Sequence, residues 1–306
     1  MAVNHIKVSQ QELERLRQTG GAGTRNKKGM LDLLGKIGFV LLVLLILFYT
    51  LFPFYWAIVS SITPYAELVS NRWFLWPQSA TWDNYSKVFA DDRFMRALLN
   101  SFVISTGVVI LSLVFGTLTA YAMARLHFRG RTFFFYTILS MTMFPGIAII
   151  GSLFQMMRRF HAYDTLWGLM IVYLSFALPF TVWVLANFFR AMPAELEQAA
   201  LVDGATQMMA LRQVLLPLAV PGMVTTGLLA FIEAWSEFLY ARTFTISTNA
   251  KTVQVAISEF TGNSQYEQPY GVKMAAAVVV TIPLIVGVML VQKRIIAGMT
   301  AGAVKG

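Results

Sequence analysis

Six stretches of the chain carry no Asp, Glu, Lys or Arg: Ile37–Ala66, Ala97–Ala124, Thr132–Met157, Thr165–Phe189, Gln213–Ile232 and Met274–Gln292. A hydrocarbon core about 30 Å thick takes roughly 20 apolar residues as helix, and all six reach that length, the last two narrowly. Buried helices of a soluble protein normally keep a polar face; these stretches have none. The pattern predicts an all-α polytopic membrane protein with six transmembrane helices. Prolines fall inside or at the edge of five of them, at Pro53, Pro145, Pro179, Pro217 with Pro221, and Pro283, while the second has Gly107 and Gly116. Such helices bend where neighbours or cavity water satisfy the freed carbonyls.

The polar stretches divide the chain. A cytoplasmic N-terminal arm covers 1–36, with SQQELERLRQ as a short helix and GGAGTRNKKG as a flexible basic linker. The first transmembrane helix covers 37–66. Five helices follow over 97–292, with a polar segment at 190–217, and a C-terminal tail spans 293–306. The segment Glu67–Arg96 between the first two helices holds Trp73, Trp76, Trp82 and Tyr85. These suit either an interfacial aromatic belt or a partner site.

Composition agrees with a membrane protein: 57% hydrophobic residues against 13% charged. There is no cysteine, which removes disulfides, Cys-based zinc sites and a thiol nucleophile. Charge sets the orientation. With the N-terminus in the cytoplasm, fifteen of the 24 Lys and Arg fall inside, but only six of the 15 carboxylates. The whole +9 excess then lies on the inner side, in line with the positive-inside rule. Arg158 and Arg159 run against it, in one short outer loop.

Candidate chemistry is sparse. No H-E-x-x-H, G-x-S-x-G or EF-hand loop is present. GMLDLLGKI at 29–37 has one residue too many between its glycines for a phosphate loop and lacks the Ser or Thr that would hold magnesium. The histidines His5, His127 and His161 lie on separate segments. Glu233 and Glu237 share a helix face at the outer end of the fifth span, and no ionisable residue lies at mid-depth. An intramembrane relay is therefore missing, which argues against a proton- or sodium-driven carrier and leaves the energy source to another subunit.

The segment ELEQAALVDGATQMMALRQVLLPLAVPG (Glu195–Gly222) interrupts the apolar pattern. Pro193 suits a helix start, and Glu195 and Glu197 favour its first turn. Gly204 suits a left-handed stop, and Thr206 can cap a second helix. The result is a helix, a glycine turn and a helix, presenting Ala, Leu and Met as a knob fit for a partner's groove.

QAALVDG (Gln198–Gly204) followed by LLP (Leu215–Pro217) resembles the E-A-A–x3–Gly pattern of permease subunits of bacterial ABC importers. NSFVIST, AYAMARLHFRGR, ALPF, EAWSEFLY and AGMTAGAVKG resemble the carbohydrate-uptake branch, and within it the second permease subunit of maltose/maltodextrin importers. The resemblance covers roughly Leu31 to Gly306.

It implies a type I ABC importer transmembrane domain, half of a sugar pathway in the bacterial inner membrane, working as a transport subunit and not as an enzyme. Its partners would be a second permease subunit, two cytoplasmic ATPase subunits and an extracytoplasmic sugar-binding protein, with no nucleic acid. ATP and magnesium would bind the partner subunits and no cofactor this chain. ATPase coupling would fall to Glu197, Gln198, Ala199, Ala200, Asp203, Gly204 and Pro217. Gln198 stands where the motif has Glu, and so offers a neutral hydrogen bond instead of a charge. The tail residues Thr300, Ala301, Gly302 and Lys305 would enter the ATPase interface. Gln265, Tyr266 and Tyr270 would belong to a loop facing the binding protein, although an ordinary exposed loop has the same composition.

Overall fold

A computed structural model describes residues 10–70, 75–143, 145–261 and 269–303, with side chains from 33 to 292 within those ranges. Trp73 of the aromatic segment lies outside the described residues. The chain divides into two units, Met1–Ala57 and Ile58–Gly306.

The first unit is the greater part of one helix, α1 (Gln10–Ser61). Residues 20–29, expected as a flexible linker, belong to this helix instead. Its glycines each cost about 1 kcal/mol of helix propensity, but the stretch contains no proline to stop propagation. From Ile37 onward the helix carries no charged residue, the pattern of a helix in lipid.

In the second unit, α1 ends at Ser61, short of the limit of its apolar run at Ala66. Pro64 drives residue 63 out of the helical region. The Ser61 and Thr63 hydroxyls then donate to the carbonyls of Ile58 (2.6 Å) and Val59 (2.7 Å). Two short helices, α2 (Tyr65–Leu68) and α3 (Asp83–Ala90), follow. Tyr85 of α3 is hydrogen-bonded to Ser61 at 2.8 Å, while Trp76 and Trp82 are exposed.

Helix α4 (Asp92–Arg125) is capped by Asp91, whose carboxylate accepts from the backbone N–H of Arg93 and Phe94. Its buried residues Ala97, Ser101, Ile104, Ser105, Val108, Ser112 and Gly116 recur every three to four positions, one stripe of a helix. That stripe packs on α7 (Leu166–Ala191) and α10 (Leu216–Ser236), and α13 (Tyr270–Ala303) packs on α10 in turn. Gly116 lets α4 approach α7 closely, since a Cβ there would fall 2.5 Å from Thr181 Cγ2. Small residues at such crossings are how membrane helices gain contact without a hydrophobic driving force between them.

The third apolar run is not one continuous helix. It forms α5 (Arg131–Met141) and α6 (Gly146–Arg159), bent by 96°. Pro145 has no N–H to donate to a continuing helix. Pro217 acts more gently. It cannot close an ordinary helical turn, and the chain enters α10 through one π turn, Leu211–Leu215. Among the described residues, five helices are long and apolar enough to span a bilayer, and the bent pair supplies a sixth candidate. No strand occurs among them.

The two ends of this bundle differ. At the Asp91 end, side chains tie loops to helices: Asn100 Nδ2 donates to the carbonyls of Thr248 (3.3 Å) and Lys251 (2.9 Å), and Val253 N–H to Ser101 Oγ (2.8 Å). At the Arg125 end the apolar core of Ala120, Leu185, Phe189, Leu211 and Leu215 is closed by the polar segment.

Candidate functional site

The segment after α7 forms α8 (Ala194–Val202), a turn, and α9 (Gln207–Ala210). Gly204 has φ +89°, the left-handed region open to glycine at little cost. Around it, Ala205 N–H donates to the Ala200 carbonyl at 3.0 Å and Gly204 N–H to the Leu201 carbonyl at 3.1 Å. This nested pair is the Schellman closure of a helix. Thr206 Oγ1 then accepts from Met209 N–H at 3.3 Å, capping α9. A sharp reversal is therefore fixed by local bonds, without help from a partner.

The outer face of this reversal is apolar. Leu196, Leu201, Val202, Met208 and Met209 are all exposed, Val202 to 87%. Gln198, Ala199, Asp203, Gly204 and Pro217 are exposed as well, and Ala200 is half-buried. Glu197 faces the other way. Its carboxylate accepts from the Tyr121 hydroxyl at 2.6 Å and lies 3.6 Å from Arg125 Nε, with both charged side chains nearly buried. Arg125 also donates to the Met192 carbonyl at 2.8 Å. Glu197 thus fastens α8 to the end of α4 and is not part of the outward surface. Sequence reasoning placed Glu197 among the coupling residues and did not single out Tyr121 or Arg125. The only available signal was Arg125 closing a long apolar run.

The other predicted positions are scattered. Tyr270 is the exposed first residue of α13, at the end of the chain segment that contains Gln265 and Tyr266, which lie outside the described residues. Thr300, Ala301 and Gly302 continue the α13 backbone, their side chains being outside the described set, as is Lys305 altogether.

At the Asp91 end, Asp164 Oδ1 accepts from the N–H groups of Ile246 (2.8 Å) and Ser247 (2.9 Å). Burial alone would raise its pKa, but these backbone donors outweigh it and hold the carboxyl below its ordinary value. Glu259 is similar. Burial would raise it, and its bonds to Lys251 Nζ and Arg242 bring it below the usual range. No group of three metal-ligating side chains occurs among the described residues.

Residues 112–301, more than half of the chain, match the family described as "Binding-protein-dependent transport system inner membrane component". The chain belongs to that family. The permease is 43% identical over 262 residues to the trehalose transport system permease protein of Mycobacterium tuberculosis, covering 86% of this chain and 95% of that protein. It is 36% identical to the trehalose/maltose transport system permease protein of Thermococcus litoralis, covering 90% and 99%. The sulfoquinovosyl glycerol transport system permease protein of Agrobacterium fabrum is 34% identical, covering 84% and 89%. Among solved structures, a chain of a bacterial ABC transporter that imports the acidic polysaccharide alginate superposes with TM-score 0.76 at 26% identity, over 86% of this chain and 96% of that one. The fold is the transmembrane domain of an ABC importer, and the protein is a transport subunit rather than an enzyme.

Proposed function

We propose that this chain is one permease subunit of an ATP-driven importer for a sugar, and that the α8–α9 knob couples it to a cytoplasmic ATPase. The observation that carries the coupling is the exposed apolar surface of Leu201, Val202, Met208 and Met209 on a rigid reversal. Such a surface is a poor neighbour for water and suits the groove of a partner. A knob stiffened by the Gly204 closure and held by Glu197 moves as one body with whatever grips it. Switching a pathway from mostly inward to mostly outward requires about 5 kcal/mol of differential contact.

The sugar reading rests on the relatives: the permeases of M. tuberculosis and T. litoralis are named for trehalose and for trehalose or maltose. Maltose or a maltodextrin is the finer candidate. The excess of Lys and Arg at the Arg125 end supports reading that end as cytoplasmic, and both termini with it. The partners are then a second permease, two ATPases carrying ATP and magnesium, and an extracytoplasmic sugar-binding protein.

The test is reconstitution of the chain with these partners in proteoliposomes. Loaded binding protein is expected to stimulate ATP hydrolysis and drive sugar uptake. Gly204→Pro is expected to leave the spans inserted and to separate hydrolysis from uptake. Uptake at the normal rate in that variant, or uptake by the permease without ATPases, contradicts the proposal.

A further inference from the structure

Two adjoining cavities of about 200 Å³ and about 400 Å³ lie between α7, α10 and the break in the third apolar run. They share Phe176 and Glu233, and together they reach the scale of a small-ligand pocket. Glu237, one helical turn beyond Glu233, is fully engaged. Its carboxylate accepts from the Tyr173 hydroxyl (2.7 Å) and from the N–H groups of Tyr240 (2.8 Å) and Ala241 (3.0 Å). It holds the start of α11 (Leu239–Phe244) in place. Glu233 has no hydrogen bond or ion pair among the described residues. Its carboxylate is exposed to the groove and is open to a ligand that donates to it.

The surroundings narrow that ligand. Phe176 and Phe180 provide flat apolar walls. Ser175 Oγ donates to the Val172 carbonyl and Thr142 Oγ1 to the Leu139 carbonyl, so both hydroxyls face any ligand as acceptors. Pro179 has no N–H to return to the Ser175 carbonyl, which leaves another acceptor in the wall. The Tyr240 hydroxyl, on a side chain 93% buried, is also unpartnered and lies against Gly146 in the lining of the smaller cavity. Among the described residues, no Lys or Arg lines either cavity. Acceptors beside aromatic faces, with no cation, suit a polyhydroxylated ring without charge. An acidic sugar would meet Glu233 with nothing to offset the repulsion.

We infer that this groove is a subsite for one ring of a neutral oligosaccharide, with Glu233 accepting its hydroxyls and Phe176 and Phe180 flanking its faces. This rests on the sugar-importer reading and assigns to this chain a direct part in holding the cargo.

The test uses the assembled transporter in nanodiscs and proteoliposomes, with labelled trehalose and maltotriose as neutral probes and an oligouronate as the acidic one. Glu233→Gln keeps the shape of the side chain and breaks no hydrogen bond or ion pair among the described residues. It is expected to slow uptake of the neutral probe by about tenfold, the loss of one charge-assisted hydrogen bond. The chain has no cysteine, so Ser175→Cys supplies a readout independent of turnover. Maltotriose or trehalose is expected to protect this thiol from a maleimide, and the oligouronate is not. If the wild-type transporter takes up neither neutral probe, the sugar reading itself falls. If it transports one of them, wild-type uptake in Glu233→Gln or an unprotected Ser175→Cys thiol overturns the subsite alone.

Discussion

Removing Glu197 tests whether the knob is held to the membrane body by the contacts described above. In Glu197→Ala the Tyr121 hydroxyl loses its 2.6 Å acceptor and keeps only a 3.4 Å approach to the Gln207 carbonyl. Arg125, about one-tenth exposed, loses its counter-charge and keeps its bond to Met192. At an effective dielectric of about 20, charges 3.6 Å apart attract by roughly 5 kcal/mol. Desolvation of the pair offsets much of that. The charge-assisted bond from Tyr121 contributes about 1.5–3 kcal/mol net. The balance is about 3 kcal/mol, or roughly 150-fold in the equilibrium that keeps α8 docked on α4. Hydrogen exchange in nanodiscs reads this directly. Amides of residues 194–210 are expected to exchange faster in the variant, and those of 172–185, in the middle of α7, are expected to be unchanged. A double-mutant cycle with Tyr121→Phe then isolates the hydroxyl–carboxylate part. Unchanged exchange over 194–210 would refute the anchor and show that the knob is held by its apolar contacts alone.

Other perturbations test the packing and the Asp91 end. Gly116→Val is expected to push α4 and α7 apart, because its Cβ would meet Thr181; overpacking of this kind costs about 1–3 kcal/mol, read as a lower melting temperature in detergent, and an unchanged melting temperature contradicts the crossing. Glu259 has a pKa lowered in the fold, so its contribution is fully present above the ordinary Glu pKa of about 4.3 and is lost as pH falls through the lowered value. Protection factors of α12 (Val253–Glu259) are expected to drop in that acid window in the wild type and to show no such step in Glu259→Gln.

Much of this architecture is legible in the sequence because a bilayer imposes a coarse rule: long runs without charge become spanning helices. The reversal at Gly204 is legible for a different reason. Asp-Gly-Ala-Thr carries the stop and the next cap within four residues, and both are local bonds. Three features were not readable. Pro145 was visible, but whether a proline bends a span or breaks it depends on which neighbours take the freed carbonyls. The stretch 20–29 has the composition of a linker, yet it lies between two helix-forming stretches and continues them. The direction of Glu197 depends on where α8 sits around the end of α4, a tertiary fact that no spacing encodes. The same holds for Glu233 and Glu237. Four apart, they read as one helix face, but α10 ends at Ser236 and only the fold shows that Glu237 is engaged and Glu233 open.

The α8–α9 knob, as proposed, is a seat for a separate protein. Val202, at the tip of α8 and 87% exposed, reports on that most directly once replaced by cysteine in this cysteine-free chain. Maleimide is expected to label Val202→Cys readily in the isolated permease and at least tenfold more slowly in the assembled transporter. Equal labelling in both, or labelling by an impermeant reagent from the outer face of right-side-out vesicles, would contradict it.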